Sequence, residues 1–270
     1  MTPDFRDRIS IAVWGVMITL AAIALVSLPG QGDSINLAGL TFQLPLPAST
    51  LAPLLVALLA GSGAEAVVRA HPLAFQGRLR LTVRFWALPV AVAMIALVLL
   101  PRAPSEPYWA AGLLIGALLL SLVLAALYFS LDYESAGYRR ARAFLNLVCY
   151  AIALMLFLLI PGGWTEAGRA LILGGVAALL ALELLRGSRG ATSEILLYAF
   201  VIGLVVAQVA WALLLTGLSA LSAGLLLLLF FYLLIGVAWQ TLMGRLTRRV
   251  LLEFSVVGLA GLTLILVLAP

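Results

Sequence analysis

DYESAGYRRAR, residues 132–142, is a polar turn rich in arginine, set between two long apolar blocks. A shorter counterpart, GRLTRR, occupies residues 244–249. Between and around these two, the other arginine-bearing breaks in the apolar sequence recur at regular intervals. That alternation is how a membrane protein records the side of the bilayer on which each short loop lies.

Composition agrees with this reading. Of 270 residues, 64% are hydrophobic and only 10% charged, with a mean hydropathy of +1.19. Soluble domains carry roughly 25% charged residues. The apolar runs are each about 20 residues long, the length that crosses a hydrocarbon core as helix. The chain is therefore expected to be an all-α, polytopic transmembrane helix bundle. It forms one integral membrane domain over residues 1–270, in the cytoplasmic (inner) membrane.

All sixteen basic residues are arginine, and the absence of lysine removes Schiff-base chemistry such as retinal binding. The pI near 9.9 suggests nucleic acid in a soluble protein. Here the arginines are spread between spans, so no nucleic-acid partner is expected. A single cysteine, Cys149, within an apolar run, excludes an intrachain disulfide and a cysteine metal cluster. The first apolar run is too long for a signal-peptide core and is kept as a span.

Nine spans are expected, over residues 9–28, 51–68, 85–100, 108–131, 143–160, 167–185, 195–216, 221–243 and 250–269. The seventh follows the capping sequence Thr192-Ser193-Glu194. After the first span, Ile35, Leu37, Leu40, Phe42, Leu44 and Leu46 alternate with polar residues about Ala38-Gly39, which predicts a short external β-hairpin.

Charge partition tests the division. Fourteen arginines fall on one side: Arg6, Arg8, Arg69, Arg78, Arg80, Arg84, Arg139, Arg140, Arg142, Arg186, Arg189, Arg245, Arg248 and Arg249. Only Arg102 and Arg169 fall on the other. Short cytoplasmic loops carry the positive excess, so the N-terminus is expected in the cytoplasm and the C-terminus outside. Arg139, Arg140, Arg142, Arg248 and Arg249 are the strongest topology determinants.

A parallel internal repeat is also expected. Arg139-Arg140 lead through a span to Pro161 as Arg248-Arg249 lead to Pro270, and AGLLIGALLL from Ala111 resembles AGLLLLLFFY from Ala223. Two four-helix units, residues 51–161 and 167–270, would then repeat, with residues 9–28 as an extra first helix. Even-numbered units keep the same orientation in the membrane.

The candidate functional or helix-anchoring residues are few. Glu65 with Arg69, and Arg249 with Glu253, are spaced i,i+4, while Glu183 with Arg186 is i,i+3, so each pair can form on one helix face. Their simplest role is interfacial anchoring; the sharper one is a proton or cation relay through Glu65, Glu183 and Glu253. Asn146 and Gln208 are the main mid-membrane amides and suit interhelical hydrogen bonds. His71, the sole histidine, sits before Pro72 at a helix exit and cannot alone supply paired haem ligands. No clustered ligand set marks a metal, and no glycine loop marks a phosphate.

GAEAVVRAHP, residues 63–72, preceded by LTFQLPLP from Leu40, resembles uncharacterised multi-spanning bacterial membrane proteins over the first third of the chain. The resemblance implies no activity. Scarce mid-membrane polar groups, short loops and an apolar hairpin favour a non-enzymatic accessory or structural subunit of a larger membrane assembly. The alternative is a small-solute, lipid or proton-coupled transporter with a polar path between two helical halves. No catalytic residue is singled out. The expected partners are membrane lipids and other membrane subunits, and no cofactor is evident beyond room for a bound lipid, apolar pigment or quinone.

Overall fold

The computed structural model describes residues 5–25, 34–37, 40–43, 48–75, 85–132, 134–135, 137–159, 165–188 and 190–268. Arg78, Arg80, Arg84 and Arg189, together with Pro161, Pro270 and the Ala38-Gly39 turn, lie outside them. The helices are α1 (Phe5–Leu25), α2 (Ala48–Arg69), the single turn α3 (Pro72–Phe75), α4 (Ala87–Leu99), α5 (Glu106–Phe129), α6 (Tyr138–Leu158), α7 (Glu166–Leu185), α8 (Thr192–Leu215), α9 (Ala220–Leu242) and α10 (Arg248–Leu268). Two four-residue strands, Ser34–Leu37 and Leu40–Gln43, pair antiparallel with Ser34 opposite Gln43 and Leu37 opposite Leu40.

Among the described residues, seven helices are long and apolar enough to cross a membrane: α1, α2 (its Leu51–Arg69 portion), α5, α6, α7, α8 and α9. The chain is a multi-pass helical membrane protein. The expected third span departs from its predicted form. Instead of a continuous helix over residues 85–100 it is a 13-residue α-helix, prolonged by a 3₁₀ turn, Leu100–Arg102. Pro101 has no N–H to continue the α-helical ladder, which accounts for the change of winding. α8 also begins earlier than expected. Thr192 is its first residue and Ala191 its N-cap, so the bonded half of the cap is Glu194 Oε2 accepting from the Ala191 N–H at 3.1 Å.

The chain divides into two compact units, Met1–Arg142 and Ala143–Pro270. The first unit is a four-helix bundle in which α1, α2, α4 and α5 are successive neighbours and α5 returns to α1. α1 contributes the stripe Ile9, Val13, Val16, Met17 and Leu20, and α5 is buried only in its C-terminal half, through Leu120, Val123, Leu124, Ala126 and Leu127. Small residues bring backbones together. A Cβ on Gly63 would lie 2.6 Å from Ala12 Cβ, and the indole of Trp86 covers Gly61.

In the second unit α7 and α8 approach most closely. Their buried faces carry Ala170, Gly174 and Ala177 on one helix and Ala199, Gly203 and Ala207 on the other. Such small-residue interfaces let helices gain van der Waals contact where lipid tails offer no hydrophobic drive. α9 also packs on α8, and Phe231 meets Tyr150 and Phe157 of α6 with ring centroids 6.1 and 6.0 Å apart. α10 lies along α9, with Leu233 against Gly258, Leu229 against Gly261, and Phe254 over Gly236.

Candidate functional site

In the first unit, one end of the bundle gathers the polar and aromatic side chains. Arg8, at the start of α1, donates from Nη1 to the Ala66 carbonyl near the end of α2 at 3.0 Å. A guanidinium there satisfies a late helical carbonyl and faces the negative end of the α2 dipole. Phe5 stacks on Tyr128 at 4.4 Å, and His71 meets the same tyrosine edge-on at 4.7 Å. These contacts show that α2 and α5 both end where α1 begins. Glu65 pairs with Arg69, as the i,i+4 spacing predicted, and the arginine side chain is 65% exposed.

His71 lies two residues past the end of α2 and stands at the break before α3. Its Nδ1 accepts from the Leu73 N–H at 3.3 Å, so it works as a cap for the short turn. Partial burial holds its pKa below the ordinary 6.5, and Asp132 opposes this by favouring the charged ring. In the folded state His71 thus binds fewer protons than in the unfolded state over a window running downward from about 6.5. Its contribution to stability is present above that value and is lost as pH falls through the folded pKa. Protonating Nδ1 would also set a donor against the Leu73 N–H in place of its acceptor. Acidification from about pH 7.5 to about 5.5 should lower the thermal midpoint of the wild type more than that of His71→Asn, whose amide oxygen can still cap. Equal shifts in a thermal-melt comparison would refute this.

Asp132 also organises the turn that follows α5. Its Oδ1 accepts from the Glu134 N–H at 3.0 Å, and its carbonyl accepts from the Ser135 hydroxyl at 3.0 Å. Arg139 and Arg140 are exposed at the start of α6, but Arg142 is 7% exposed and belongs to the packed interior.

The second unit contains the most buried of the predicted ion pairs. Glu183 Oε1 accepts from Arg186 Nη2 at 2.6 Å, with the two side chains 1% and 8% exposed. Ser188 is buried beside them in sequence, its hydroxyl without a hydrogen-bond partner among the described residues. By contrast, Arg249 and Glu253 are 3.3 Å apart with 90% and 63% of their side chains exposed. Asn146 is half-buried on α6, and Gln208 is exposed on α8. Glu65, Glu183 and Glu253 are therefore each engaged by an arginine of their own helix, with Arg69, Arg186 and Arg249 respectively.

Sequence reasoning did not single out Arg8, Trp86 or Ser188. Arg8 was legible only as one of a cytoplasmic pair, and its acceptor lies 58 residues away. The buried indole N–H of Trp86 and the hydroxyl of Ser188 depend on packing that no local pattern reports. Among the described residues, no group of three His, Cys, Asp or Glu side chains is placed to hold a metal ion.

A family model described as "Protein of unknown function (DUF5656)" covers residues 29–268. No curated protein and no solved structure matches the chain.

Proposed function

The chain belongs to the DUF5656 family of proteins of unknown function, and we propose that it is a non-enzymatic, accessory or structural subunit of a larger inner-membrane assembly. The observation that carries this reading is the state of Glu183. A carboxylate in a transport path needs water or an exchangeable partner, whereas Glu183 is almost fully buried and bonded to Arg186 on its own helix. Glu65 and Glu253 are likewise paired locally, and Gln208 is on an exposed helix face. Native mass measurement after extraction in mild detergent tests the proposal: a stoichiometric second protein is expected. A lone monomer under every gentle condition, or solute flux in proteoliposomes abolished by Glu183→Gln, would overturn it in favour of a transporter.

The topology we propose has nine crossings, the N-terminus in the cytoplasm and the hairpin outside. α2 and α5 end beside the start of α1, so the chain must return across the bundle between them. The segment available is Ala87–Arg102, and Leu100 at its far end lies against Gly112 near the start of α5. α10, with 21 residues, supplies the last crossing. In a Cys149→Ser background, an impermeant thiol reagent applied to intact cells should label Thr216→Cys and spare Glu134→Cys, both exposed positions. Labelling at the second would reject the arrangement.

A further inference from the structure

We propose that the turn at residues 244–249, between α9 and α10, is a docking site for the phosphate of an anionic lipid headgroup. The turn has a defined shape. Gly244, at φ 65°, ends α9 in the left-handed conformation, its N–H donating to the Thr241 carbonyl at 2.9 Å. The Arg245 N–H donates to the Gln240 carbonyl at 2.9 Å, completing the paired cap characteristic of a glycine-terminated helix. Three residues later Thr247 caps α10, accepting at Oγ1 from the Val250 N–H at 3.4 Å.

Arg245, Arg248 and Arg249 are consequently carried on a short, doubly capped corner, and all three are exposed. Among the described residues, the carboxylate within ion-pair distance is Glu253, on Arg249, and a pair so open to solvent contributes little. Two guanidinium charges in excess of that carboxylate face outward on six residues. Planar guanidinium forks match phosphate oxygens in a bidentate way that a point charge cannot. Leu246, 40% exposed, stands among them at the tip. A soluble anion would leave that leucine in water, whereas a headgroup brings acyl and glycerol carbons to it. The inference rests on α9 and α10 crossing the membrane, and is independent of the accessory role proposed above.

The full chain in detergent, titrated with phosphatidylglycerol or phosphatidylcholine of the same acyl composition and followed by native mass measurement, decides the matter. The wild type should retain phosphatidylglycerol selectively. Each arginine near an anionic surface contributes about five-fold, so R245Q/R248Q/R249Q should bind it ~100-fold more weakly. R245K/R248K/R249K, which keeps the charge and the topology signal, should lose no more than about ten-fold. R102Q, a charge loss elsewhere, should bind as wild type. Equal retention of the two lipids, wild-type binding by the glutamine variant, or displacement of phosphatidylglycerol by an equal concentration of inorganic phosphate would each overturn the proposal. Should the glutamine variant not fold, the lysine variant and the lipid comparison still decide. Solubility of the chain without detergent would instead refute the membrane reading itself.

Discussion

Gly174→Ala should severely destabilise the second unit, while Gly175→Ala, one residue along the same helix, should be nearly silent. A Cβ on Gly174 would lie 2.5 Å from the Gly203 carbonyl oxygen and 2.6 Å from Ala207 Cβ. Neither neighbour can move without moving the backbone of α8. The reciprocal position is as tight: a Cβ on Gly203 would lie 2.7 Å from the Gly174 carbonyl and 2.7 Å from Ala178 Cβ. Nothing lies within 4 Å of the corresponding point on Gly175, which is exposed. Overpacking against yielding side chains costs about 1–3 kcal/mol, and a rigid carbonyl should push Gly174→Ala to the upper end, ~3 kcal/mol. Gly175→Ala should cost nothing, helix propensity favouring it by at most about 1 kcal/mol. Unfolding in mixed detergent micelles measures both, and matching curves for the two variants would show that α7 and α8 do not pack as described.

The second large effect is expected from Arg186→Leu. It would leave the Glu183 carboxylate in the unit interior without its guanidinium, a change that typically costs about 3–5 kcal/mol. The double variant Glu183→Leu/Arg186→Leu should recover most of the loss, because two well-packed apolar side chains can replace a buried pair at little or no cost. Arg69→Leu and Arg249→Leu serve as comparisons. In both pairs the arginine is largely exposed, so each should cost less than about 1 kcal/mol. A cost for Arg186→Leu no larger than for these two would mean that Glu183 is hydrated or protonated in the folded protein.

These two cases mark what could be read from the chain and what could not. The three acid–arginine spacings are helical and the pairs form, because partners three or four apart share a face whatever surrounds the helix. Their burial was not legible, since it depends on which other helix covers that face. The same holds for LGGV at residues 173–176. Two adjacent glycines signal close packing somewhere, and only the crossing of α8 selects Gly174 over Gly175. Arg142, counted with Arg139 and Arg140 among the topology determinants, is buried while they are exposed, a difference that charge counting does not report. His71 was recognised as a helix-exit residue, but Tyr128, which packs against its ring, is 57 residues further along the chain.

In the nine-crossing topology proposed above, the brevity of α4 has a consequence for the surrounding lipid. Thirteen α-helical residues followed by three in the tighter 3₁₀ winding span about 26 Å, against roughly 30 Å of hydrocarbon. Its neighbours are longer, with 22 residues in α2 and 24 in α5. Where the short helix meets the bilayer, the leaflets have to draw together or polar side chains flanking the helix have to reach out to the interface, at fractions of a kcal/mol per ångström. The first unit would therefore sit most easily in thin membranes, and acyl-chain length becomes a variable to which the protein responds.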